Sequence, residues 1–169
     1  MSAHLRFLCT FVFVAYLFQT TALAQPGFTL GSNFTGSSLF AQSGSVPPDT
    51  MGAIGPNHFV ELINGRYRAY NRTGVEQQTS TLLSFFQTAT GDNTLNDVFD
   101  PRINFDKATG LWYAVAAAQR RSSGSSFVVA VSNTSNPTGG WTGRRVDADT
   151  ANTLWLDFPT VGYNGQSYV

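Results

Sequence analysis

The sequence predicts an all-β protein assembled from four-stranded antiparallel units, and three observations carry that expectation. Short apolar and alternating runs are separated by turns rich in Gly, Asn, Asp, Ser and Pro. Charged residues are only 12% of the chain, so Ser, Thr, Asn and Gly supply the surface, while a 14% aromatic content supplies the core. A segment that opens on Asp and leads into paired strands recurs along the chain.

The chain begins with Arg6 followed by an apolar run to Phe18 and the small-residue pattern Ala22-x-Ala24. This is the layout of a signal peptide cleaved after Ala24, and the run is shorter than the roughly 20 residues a spanning helix needs. Residues 1–24 are therefore expected to direct export, giving a secreted protein with no transmembrane segment in the mature chain. Cys9, the single cysteine, lies in that segment, which excludes disulfides, thiol catalysis and cysteine metal sites from the mature protein. Arg6 is lost with it, leaving the ten acidic residues one ahead of the basic ones. Nothing in that balance suggests nucleic acid or an anionic membrane as a partner.

Residues 25–45, polar and rich in Gly and Ser, read as a leader draped over a domain that occupies 46–169. In "HFVELINGRYRAYN", Asn64-Gly65 stands between two alternating runs, the signature of a hairpin with a type I′ turn. The implied register sets Phe59 opposite Tyr70, Val60 opposite Ala69, Glu61 opposite Arg68 and Leu62 opposite Tyr67. Val60, Leu62, Tyr67 and Ala69 then form one apolar face, with Glu61 and Arg68 as an opposite-charge pair on the other.

"TSTLLSFFQTATG" fits a short helix or a buried strand equally well. "RINFD", "LWYAVAAA", "FVVAVSNT" and "TGRRVDA" follow, separated by short turns, and predict a four-stranded antiparallel meander whose polar last strand suits a sheet edge.

Three segments overlay: "DTMGAIGPNHFVELI" from Asp49, "DPRINFDKATGLWYAV" from Asp100 and "DFPTVGYNGQSYV" from Asp157. Their starts lie 51 and 57 residues apart, close to the repeat of a four-stranded propeller blade. The expected architecture is an incomplete β-propeller, about two blades and the start of a third, the N-terminal fragment of a longer protein. A β-sandwich satisfies the strand count without requiring the repeat.

The ordered set "PPDTMGAIGPNHFVELINGRYRAYNRTG", "FDPRINFDKATGLWYAVA", "VAVSNTSNPTGGW" and "WLDFPTVGYNGQSYV" resembles a family of secreted, propeller-like bacterial proteins, mostly uncharacterised. The resemblance runs from Val46 to Val169. It implies an exported, modular protein with further blades, and it implies no activity.

The candidate catalytic groups are Asp49, Asp100 and Asp157, each at the entrance to a unit. Carboxylates at the start of inner strands serve as acid and base in five-bladed glycosidases, which these units loosely resemble, and glycoside hydrolysis needs two such groups across one bond. The plainer reading makes them turn punctuation, accepting backbone N–H groups beside Pro, and recurrence in every unit favours it. By the same reasoning Asp106 is expected to cap the "DKATG" turn. Arg102 is a candidate binding residue for a substrate carboxylate, or the ion-pair partner of Asp100 or Asp157. Trp112, Tyr113 and Trp155 are candidate sugar platforms, against their use as core. Asp147, Asp149 and Asn152 supply oxygen atoms that could hold calcium, although the full twelve-residue loop pattern is not there. His58, the one histidine of the mature chain, has no nucleophile elbow to serve. Trp141 is expected to pack on a following blade, and Asn33, Asn71 and Asn133 lie in glycosylation sequons.

The function expected is extracellular binding or scaffolding with a glycan or surface protein as ligand. The alternative is a glycoside hydrolase using the strand-entrance carboxylates.

Overall fold

Eight strands, one α-helix and one π-helical turn occur among the described residues, 27, 29–164 and 167, of a computed structural model. The signal-peptide expectation for residues 1–24 falls outside the described residues. No described helix is long and apolar enough to cross a membrane. The chain divides after Leu30. In the first part Gly27, Thr29 and Leu30 are exposed and without regular structure.

The protein is all-β: two four-stranded antiparallel sheets, each a simple meander. The first comprises β1 (Met51–Ile54), β2 (His58–Ile63), β3 (Arg66–Asn71) and β4 (Glu76–Thr81), and the second β5 (Val98–Asp106), β6 (Leu111–Ala118), β7 (Ser126–Ser132) and β8 (Trp141–Asp147). The β2–β3 register is the one the alternation dictates, from His58 opposite Asn71 to Ile63 opposite Arg66. The turn differs from the expected type I′, because φ is positive at Gly65 (+91°) but not at Asn64. A negative then positive φ is the pattern of a type II turn. Asn64 is held that way by its N–H, which donates to the carbonyl of Pro48 at 2.8 Å.

Glu61 and Arg68 are cross-strand neighbours but do not bond to each other. Arg68 pairs with Glu76 at 2.5 Å on the neighbouring strand. Glu61 is buried and accepts from Ser37 N (3.0 Å), Ser37 Oγ (2.8 Å) and the Tyr70 hydroxyl (3.1 Å). A buried carboxylate needs several such donors, and the leader supplies two of the three. The leader is thus pinned to the first sheet, with Phe34 set against Tyr70 and Phe59 at centroid distances of 5.1 and 6.0 Å. It forms one π-helical turn, Leu39–Ser43, and no strand among its described residues.

The ambiguous apolar stretch is resolved as α1 (Leu82–Thr90). Thr81 Oγ1 accepts the Ser84 N–H at 3.0 Å as an N-cap, and Gly91 ends the helix at φ +68°. Leu82, Phe85, Phe86 and Ala89 point inward at helical spacing.

One hydrophobic cluster joins the two sheets. Val60, Leu62, Tyr67 and Ala69 of the first sheet and the inner face of α1 meet Trp112, Ala114, Ala116, Ala118, Val128 and Ala130 of the second. The run of alanines on β6 leaves room for the large rings opposite. Tyr67 stacks on Phe85 at 4.4 Å, and Trp141 stands edge-on to both. Trp141 therefore packs on the preceding unit, correcting the expectation that it meets a following one.

Candidate functional site

A cleft of about 460 Å³ opens at the end of the sheets where β1 and β5 begin, and Asp49, Asp100 and Asp157 all line it. The strand entrances thus gather the three carboxylates that the repeat aligns. Asp49 and Asp100 occupy equivalent positions, two residues before Met51 and Arg102, and share a rare backbone conformation with φ of +44° and +51°. Short polar side chains tolerate this left-handed region better than most. In the third segment it is Phe158, at φ +49° and followed by Pro159 as Asp100 is by Pro101, that takes the equivalent place. Asp157 is therefore one residue out of step and stands exposed on the rim.

Asn64 ties the first two carboxylates together. Its Oδ1 accepts the Asp100 N–H at 2.7 Å, and its Nδ2 donates to Asp49 Oδ2 at 2.7 Å and, at the 3.5 Å limit, to Asp100 Oδ1. Asp100 is 7% exposed, and its second oxygen accepts the Phe158 N–H at 3.2 Å. One carboxylate thereby holds the starts of two later units to the hairpin of the first. Asn64 itself is 7% exposed, and its carbonyl accepts the Ser43 hydroxyl at 2.6 Å. The sequence places Asn64 in a turn, and no local signal announces this clamp.

Arg102 makes no ion pair with Asp100 or Asp157. Its guanidinium lies 4.2 Å from the Phe158 ring centroid and donates to the Pro101 carbonyl at 2.9 Å; Arg102 is not itself among the residues that line the cleft. This corrects the ion pair expected of it, because the one-residue offset puts a ring where an acid was aligned.

Trp112 is fully buried, with Nε1 donating to the Ser135 carbonyl, so it has no face to offer a sugar. Tyr113 lines an apolar groove on the outer face of the second sheet, beneath Leu156, Pro159 and Val161. Of the three aromatic candidates Trp155 faces the carboxylate cleft, 38% exposed. Beside it the loop after β6 brings Arg120 and Arg121, which sequence reasoning treated as an ordinary turn. Arg120 lies 4.0 Å from the Phe99 ring centroid and 3.6 Å from Asp97; Arg121 lies 5.7 Å from that of Trp155.

The calcium candidates form a self-contained turn. Asp147 accepts the Asp149 N–H, while Asp149 accepts the N–H groups of Ala151, Thr153 and Leu154 and the Thr153 hydroxyl. These bonds, that from Leu154 foremost, hold the Asp149 carboxyl down at about 2. Asn152 donates weakly to Thr150 O, at 3.5 Å. No group of three or more His, Cys, Asp or Glu side chains suited to a metal occurs among the described residues.

Asp106 caps its turn as expected, accepting from Ala108 N, Thr109 N and Thr109 Oγ1, bonds that lower its pKa. His58 is half-buried, and burial lowers its pKa. Comparison of the chain with protein-family models, curated proteins and solved structures gives no match.

Proposed function

We propose that the two sheets are successive blades of a secreted β-propeller whose role is extracellular binding or scaffolding, with a glycan or surface protein as ligand. The engagement of Asp49 and Asp100 by Asn64 and by the Phe158 N–H carries this reading. A hydrolytic pair needs one protonated and one ionised carboxyl facing the scissile bond, whereas Asp100 is buried and turned toward donors of the protein itself. The contiguous core between the sheets and the matching conformations of Asp49, Asp100 and Phe158 support the blade arrangement. Four-stranded meanders stacked face to face around an axis bring their first strands together, and the strand entrances then rim a shared cleft.

Hydrolysis is kept as a second reading because three carboxylates line one cleft. The two readings separate when the full-length protein is assayed on a polysaccharide panel for retention and for reducing-end release. Retention without release is the expected result. Release that disappears in Asp100→Ala or Asp157→Ala protein with the fold intact establishes the hydrolase instead.

A further inference from the structure

Trp155 stands where two clefts meet. On one side is the carboxylate cleft; on the other is a space of about 290 Å³ walled by Ser122, Ser123, Asn152, Thr153 and Leu154, and both share Arg121 and Trp155. The surface thus continues across the indole, which suits a chain ligand passing over the ring.

Four carboxylates and two guanidiniums line this path, and three of the carboxylates are engaged within the protein. Arg120 is matched by Asp97, and Asp49 and Asp100 are turned toward Asn64. What faces outward is the Arg121 guanidinium, with no acidic partner among the described residues, and the exposed Asp157 carboxylate. The first can only donate hydrogen bonds and the second only accept them. A ligand that meets both, and the Trp155 indole that lines the same cleft, carries groups that donate and accept, has an apolar face and bears no net charge. Pyranose rings do so: hydroxyls ring the edge and C–H bonds cover the face, which packs on an aromatic ring.

Resting on the binding reading above, we propose that this groove takes a neutral oligosaccharide laid over Trp155, with hydroxyls donating to Asp157 and accepting from Arg121. The cleft volume lies within the range of small-molecule sites. Arg121 and Gln119 both hold positive φ, +54° and +57°, a conformation uncommon for such side chains. The loop backbone that carries Arg121 is held by Gln119 N–H donating to Asp97 O and by Ser122 Oγ donating to Gln119 O.

The test is calorimetric titration of the full-length protein with neutral hexamers of glucose, xylose and mannose, alongside hexagalacturonate and chitosan hexamer. Binding of a neutral hexamer is expected, weakened about tenfold or more in Trp155→Ala and several-fold in Asp157→Asn, at unchanged thermal midpoint. Trp155→Phe should keep part of the affinity. Binding of a charged hexamer alone, or of none, overturns the ligand class. Neutral-hexamer binding that is unaltered in Trp155→Ala overturns the site and leaves the binding reading standing. Reducing-end release by the wild type overturns the binding reading, whatever the Trp155 variant does.

Discussion

Asn64 and Asp100, 36 residues apart, are joined through the Asn64 side-chain amide, whose Oδ1 takes the Asp100 N–H at 2.7 Å inside the protein. The hairpin of the first sheet thereby fixes the first strand of the second. Asn64→Ala leaves that N–H buried without its acceptor and Asp49 without its donor. The expected cost is about 2 kcal/mol, a fall of several degrees in thermal midpoint, read by denaturant and thermal unfolding. A change below about 0.5 kcal/mol would show that solvent replaces the clamp freely.

Two glycines with positive φ should respond differently to alanine. At Gly65 an added Cβ falls 2.5 Å from the Ser43 carbonyl oxygen, whereas at Gly91 it meets nothing within 4 Å. Gly91→Ala is expected to cost about 1 kcal/mol from backbone strain alone. Gly65→Ala should cost clearly more and loosen the leader, visible as faster proteolysis between residues 31 and 45. Equal destabilisation of the two would mean that the leader yields without cost.

Burial, with a further contribution from Glu61, pushes the Tyr70 hydroxyl up to about 12. The neutral phenol is the form the fold favours, so its contribution is complete below the unfolded value of about 10. It is lost as pH rises through the folded value, and the window for that loss is pH 10 to 12. Spectrophotometric titration should find Tyr67, raised by burial, and Tyr70 late, with unfolding accompanying their ionisation. All tyrosines titrating together near pH 10 in a folded protein would contradict the packing.

The lowered Asp149 carboxyl gives a prediction of opposite sign. Its hydrogen bonds favour the ionised form, so the turn is supported above the ordinary carboxyl range and loses that support as pH falls toward about 2. An NMR titration of the Asp149 carboxyl should show a midpoint near 2, unmoved by millimolar calcium. A midpoint near 3.8, or a large calcium-induced shift, would support a ligand role for this loop.

Much of the fold is legible because alternation has physical consequences. The β2–β3 register follows from Val60, Leu62, Tyr67 and Ala69 having to share one buried face, and the second meander from its turn residues. Leu82, Phe85 and Phe86 fit either period, and the choice falls to the Thr81 cap, which pattern alone does not weigh. The site was half legible. Repetition brought three acids to one cleft, but alignment by residue type put Asp157 where the backbone puts Phe158, and Arg102 consequently meets a ring. Asn64, Arg121 and Trp155 act through neighbours 15 to 36 residues away, or through a loop whose conformation no local motif encodes.

The most direct measurement combines urea unfolding of Asp100→Ala with a reducing-end assay of the full-length protein on neutral polysaccharides. If Asp100 is a clamp between units, the variant loses about 2–3 kcal/mol and the unaltered protein releases no product. Product release by the unaltered protein, abolished in Asp100→Ala at unchanged unfolding midpoint, would make that carboxylate catalytic and contradict its role as a clamp.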